Sequence, residues 1–197
     1  MATTQPSESR APRKRAYFYM VETTTRTEGQ KTLNEKNGGN SDTFNFDVSN
    51  CMDIISDSLG MNKEAIEWNV YGTNMDSDEF SRHRFRVHWG EIENGREKQV
   101  DTRLAVDMVA KAVKLYCRLE AVDFVIIPGN AYMNPVLQTA MDFGHTVHVW
   151  SWERALSEKY LELQAHPSYG DHLTITKLDG FLERLHKRPS QEAPDQP

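Results

Sequence analysis

"DFVIIPGNAYMNPVLQTAMDFGHTVHVW", residues 123–150, limits the possible folds more than any other stretch of the chain. "FVIIP" is a continuous apolar run of strand length, the pattern of a strand buried on both faces. Residues 134–143 carry helical periodicity and end at Gly144, and "TVHVW" is a second apolar strand. A strand, helix and strand of this kind specify a parallel pair joined by a right-handed crossover. The turn after the first strand is where such sheets place their ligands. It reads Pro128, Gly129, Asn130, Ala131, Tyr132 and contains no carboxylate.

The rest of the chain repeats the alternation. "AYFYMVE" (16–22) is aromatic and β-branched, a strand with Glu22 at its end. Residues 23–42 are polar with a Gly-Gly pair and read as a long loop, a length usually tied to function or disorder. A helix is expected over 46–60, with Asp47 or Ser49 as N-cap and Gly60 as the stop. Strands are expected over 65–72 and 83–92, the latter followed by an Asn94-Gly95 hairpin turn. Residues 101–120 form the clearest helix, with Val106, Val109, Ala110, Val113 and Cys117 as its buried stripe and Arg103, Lys111, Lys114 and Arg118 outward. A helix over 153–164, a strand over 173–178 and a closing helix over 180–187 complete an open parallel α/β sheet, Rossmann-like and flanked by helices. Residues 16–187 read as one domain between a basic tail (1–15) and a proline-bearing tail (188–197), both expected to be disordered.

Composition bounds the function. At 197 residues with 38% hydrophobic and 26% charged residues, the chain has the balance of a soluble domain. No apolar run nears the roughly 20 residues that cross a bilayer. The first residues lack the apolar core of a secretory signal. Cys51 and Cys117 are not in metal-type pairs, so an intracellular, reduced protein, cytoplasmic or nuclear, is expected. A net charge of −6 weighs against a dedicated nucleic-acid binder. The local run Arg82, His83, Arg84, Arg86, His88 reads as a solvated face.

Strand ends of an open sheet gather at one edge, and the acids expected there are Glu22, Asp47, Asp101 and Asp107. Clustered carboxylates hold Mg²⁺ or Mn²⁺, which polarises a phosphodiester and generates hydroxide. Each acid also has a plainer reading. Asp101 and Asp47 suit helix N-caps, and Asp107 is spaced for surface ion pairs with Arg103 and Lys111. His145 and His148 read as structural, and Trp150 and Trp152 as core.

"KQVDTRLAVDMV" (98–109), followed by the 123–150 stretch, resembles the NYN domain, a PIN-like ribonuclease family. Lys98, Asp101, Leu104 and Asp107 match the family's Lys-x-x-Asp-x-x-Leu-x-x-Asp helix; Gly129, Pro135 and Gly144 match the frame of its second motif. That motif is Ser-Gly-Asp-x-Asp-Phe in the family. Here it is Pro128-Gly129-Asn130-Ala131-Tyr132-Met133, so both acids are gone. The family's strand-end acid falls on Glu22 or on Asp47, which has the Asp-x-x-Asn spacing with Asn50.

The resemblance implies a catalytic set of Asp101, Asp107, Glu22 and Asn130. It implies a weakly held Mg²⁺ or Mn²⁺ on Asp101, Asp107 and Asp47, and RNA contacts from Lys98, Asn50, Tyr132 and Arg103. Each unit charge lost at 4 Å is worth about 4 kcal/mol at an effective dielectric of about 20, before desolvation. The expectation is therefore an NYN-like protein of RNA metabolism with weak or lost nuclease activity. The alternatives are an active Mg/Mn-dependent ribonuclease and a protein-interaction module; a phosphate-binding sheet ranks last, with no glycine-rich loop to support it.

Overall fold

The computed structural model describes residues 14–39, 43–93, 96–129 and 131–187, with 96–98 and 131 through the backbone alone. In chain order the strands are β1 (Ala16–Val21), β2 (Ile66–Gly72), β3 (Arg86–Trp89), β4 (Glu91–Glu93), β5 (Arg96–Lys98), β6 (Asp123–Ile127), β7 (Thr146–Ser151) and β8 (Leu173–Lys177). The helices are α1 (Glu22–Lys36), α2 (Val48–Leu59), α3 (Ser77–Arg82), α4 (Val100–Tyr116), α5 (Asn134–Asp142), α6 (Glu158–Ala165) and α7 (Leu182–Leu185).

Six strands form one sheet in the order β3-β2-β1-β6-β7-β8, every neighbouring pair parallel. This is the doubly wound order, reversing direction between β1 and β6. The apolar runs read from sequence are its centre: all side chains of β1 and β6 are buried. Alternate residues enter two cores. Phe18, Met20, Val125 and Ile127 face α1, α2, α3 and α7, while Tyr17, Tyr19, Phe124 and Ile126 face α4, α5 and α6. Burying one such side chain stabilises by roughly 1.5–3 kcal/mol.

Local signals place the helices. Asp47 caps α2 by accepting from the Asn50 N–H at 2.9 Å, and Gly60 closes it in a left-handed conformation at φ 59°. His145 is fully buried, with Nε2 3.0 Å from the Ala112 carbonyl, and His148 Nδ1 lies 2.6 Å from Thr174 Oγ1. His148 Nε2 also lies 3.9 Å from Asp123, an acid that the sequence reading did not pair with it. Trp150 and Trp152 are core.

Four expectations change. Residues 22–36, read as the start of a loop, are α1. Its inward positions are Glu22, Thr25, Gly29 and Leu33, and a Cβ on Gly29 would collide with the Phe44 ring. Small and polar residues do the packing, so apolar periodicity is absent. The buried stripe of α4 is Val100, Leu104, Met108, Ala112 and Leu115, on the opposite side from the one expected. The strand expected over 83–92 is interrupted: Arg84 turns at φ 62°, β3 covers four residues, and β4 leaves the sheet to pair antiparallel with β5. The closing helix is shortened to Leu182–Leu185, after a 3-10 turn at Leu178–Phe181. The Asn94-Gly95 turn and the tails at 1–13 and 188–197 lie outside the described residues.

Candidate functional site

The switch point puts the carboxyl ends of β1 and β6 side by side, and α4 delivers Asp101 between them. Asp101 occupies the first turn of α4, where the helix dipole favours an anion. Gly129 follows β6, and a Cβ there would collide with Asp101 Oδ1 and come within 3.3 Å of Val21 Cγ1. Only a glycine backbone lets the carboxylate sit this close. Burial, and then the charge of Asp101, pushes the phenol of Tyr160 well above its ordinary range. Tyr132 lies on the short 3-10 turn Ala131–Met133 that follows this strand end, 82% exposed.

Glu22 stands at the end of β1, as the sequence suggests, but a cation meets it. Arg26 binds Glu22 through Nε and reaches Glu79 at 3.0 Å through its other end. Lys187 binds the same Glu79 at 2.7 Å. Buried at the start of α1, Glu22 thus belongs to a chain of alternating charges linking α1, α3 and the residues after α7.

Asp107 points elsewhere. Six residues along α4 carry it about 9 Å from Asp101, and its Oδ2 accepts from the Tyr71 hydroxyl at 3.0 Å. The Tyr71 ring stacks on His88 at 4.3 Å with planes 7° apart. His88 Nδ1 lies 3.6 Å from Asp107, and its Nε2 lies 3.2 Å from Asn69 Oδ1. Burial holds the His88 imidazole below its ordinary range, with Arg103 and Arg86 adding to the effect and Asp107 opposing it. These groups border a cleft of about 260 Å³ between α4 and the β2–β3 half of the sheet. Sequence reasoning missed Asn69 and Tyr71, and it read His88, whose side chain is 20% exposed, as part of a solvated face. The available signal was alternation: Glu67, Asn69 and Tyr71, then Arg86 and His88, put polar and aromatic side chains on one face of two neighbouring strands.

The ion pairs expected of Asp107 with Arg103 and Lys111 do not form. Lys111 binds Glu67 at 3.1 Å, and Arg103 donates to the Trp89 carbonyl at 3.3 Å. Asp47 is held as the cap of α2, and Asn50 donates to Asp47 and to the Arg184 carbonyl. Asn130 and the side chain of Lys98 lie outside the described residues. The basic run is divided: Arg82, His83, Arg84 and Arg86 line, with Lys63, a second cleft of about 350 Å³, while Arg86 and His88 border the first.

The described residues do not fit a divalent cation. Asp101 is in the crevice, Glu22 is bound to Arg26, Asp107 to Tyr71, and Asp47 caps a helix. Among the described residues no group of three or more His, Cys, Asp or Glu side chains converges as a metal site would require. No helix among them is long and apolar enough to cross a membrane. Comparison with protein-family models, with curated proteins and with solved structures returns no match for this chain.

Proposed function

We propose that the chain is an NYN-like, PIN-like domain that engages RNA at the crevice between β1 and β6 and has little or no metal-dependent nuclease activity. The observation that carries this reading is the dispersal of the acids that a shared cation would need. The helix motif of the resemblance delivers Asp101 to the switch point against Gly129, while Glu22, Asp47 and Asp107 are engaged in other contacts. A single carboxylate is too few to hold a divalent cation for hydrolysis, so a binding role for the strand-end edge is the reading that remains. Tyr132, exposed on the turn three residues after Gly129, offers a ring on which a base can stack, an interaction worth about 1–3 kcal/mol per base.

The test is incubation of the purified protein with Mn²⁺ and a labelled single-stranded RNA, with binding followed in parallel by anisotropy at several salt concentrations. The expected outcome is no cleavage above background, together with an affinity that falls as salt rises and falls about tenfold in Tyr132→Ala. Robust cleavage that disappears in Asp101→Asn would establish the active-nuclease alternative. Absence of any salt-sensitive complex would remove RNA from the reading.

A further inference from the structure

α4 carries two apolar stripes, and the sheet uses one. Leu104, Met108, Ala112 and Leu115 enter the core. Val106, Ala110, Val113 and Cys117 lie on the far side, all exposed, with Val106 at 60%. At about 100° per residue this outward stripe lies roughly opposite the buried one. Its four-three-four spacing is that of a helix-pairing seam about two heptads long. One flank of the seam bears Arg103, Asp107 and Lys114; the other bears Val109, partly buried against the core, and Tyr116, half-exposed with its ring 5.0 Å from that of Phe143. Beyond the helix end Leu119 stands at φ 58° and is 93% exposed, an apolar side chain held out where glycine is usual.

We propose that this stripe is a self-association surface, on which α4 of one copy of the chain packs antiparallel against α4 of a second copy about a two-fold axis near residues 111 and 112. The flank charges select this occupant. In an antiparallel pair like flanks face each other, so Asp107, whose Oδ2 is held by Tyr71 and whose side chain is still 39% exposed, meets Lys114 of the second copy through Oδ1, and Lys114 meets its Asp107. On the other side the exposed part of Tyr116 covers what remains open of Val109. In the seam Val106 lies opposite Cys117 of the second copy, and Ala110 opposite its Val113. Arg103 faces the carboxyl end of the opposing helix, where the dipole is negative. A parallel pair would instead set the charged flank against the apolar one. A foreign helix of a single charge sign would meet repulsion at one position of a flank that alternates in sign.

The small Ala110 lets the backbones approach to roughly 8 Å. Asp107, Ala110 and Lys114 also border the Tyr71–His88 cleft, so the second helix runs along its mouth. One helix of 17 residues gives an interface smaller than the roughly 800 Å² per partner of a permanent complex. The association is therefore expected at micromolar protein, on the order of 10 µM. It does not depend on the RNA reading.

Sedimentation of the full chain across a concentration series should show a monomer–dimer equilibrium, and Val113→Glu should weaken it more than tenfold while circular dichroism stays unchanged. Mild oxidation supplies a second readout. Val106→Cys places a new thiol opposite Cys117 of the second copy and should give a disulfide-linked dimer, whereas the wild-type chain and Val106→Cys combined with Cys117→Ser should not. A chain that stays monomeric at about 200 µM overturns the proposal. So does a dimer indifferent to Val113→Glu, or a wild-type chain that cross-links through Cys117 as a parallel pair would.

Discussion

His88 is poised by its surroundings to make stability depend on pH. Burial lowers its proton affinity in the folded chain, so the unfolded chain takes up the proton first. Its contribution is fully present above the unfolded pKa of about 6.5 and is lost as pH falls through that value toward the folded one. His88→Phe keeps a ring for Tyr71 to stack on and removes the titration. Urea midpoints measured from pH 8 to pH 5 should therefore converge, the wild-type protein losing stability relative to the variant in acid. A gap between the two that does not change with pH would show that the imidazole is not held neutral by the fold. Cys51 shows the same logic in a thiol that does not titrate in this range, since burial pushes its pKa up to about 12.

Among the elements, α1 tests how a helix without an apolar stripe is held. An Ala at position 29 would gain about 1 kcal/mol of helix propensity over Gly, yet its Cβ would overlap the ring of Phe44, itself buried. Overpacking of this kind typically costs about 1–3 kcal/mol. Gly29→Ala is thus expected to destabilise despite its better propensity, and Phe44→Leu to reduce that penalty in a double-mutant cycle read by denaturant unfolding. Additive effects would mean that the two residues do not touch. The same contact explains what the sequence leaves hidden. β6 and α2 are legible because their signals are local: four apolar residues in a row, or Asp47 and Gly60 bracketing a helix. α1 turns Thr25 and Gly29 inward because Trp152 donates to the Thr25 carbonyl and Phe44 fills the space over Gly29, and both partners are distant in sequence. α4 misleads differently. Two stripes fit helical spacing equally well, and periodicity alone does not say which one meets the sheet.

For the whole molecule, the parallel order and the edge that gathers strand ends follow from alternation of strands and helices, so the crevice was legible in outline. The destinations of its acids were not, because Arg26, Tyr71 and the start of α2 compete for them through tertiary contacts. The order also sets what can fold alone. β1 needs β2 on one side and β6 on the other, and Tyr17, Tyr19 and Val21 need Leu104 and Met108 above them and Phe124 beside them. A fragment ending at residue 93 is expected to lack dispersed amide resonances and cooperative melting, and a sharp thermal transition in that fragment would contradict the interdependence of the two halves.

Ala16 pairs with Asp123, about 100 residues later. At a translation rate of about 5–20 residues per second, the inner margin of the first strand waits several seconds on the ribosome for its neighbour to be made. Throughout that interval it presents bare amides beside "AYFYMV", a sticky hexapeptide. A nascent chain of this design needs chaperone cover early in synthesis, and slowing elongation across the α4 codons should lower its soluble yield.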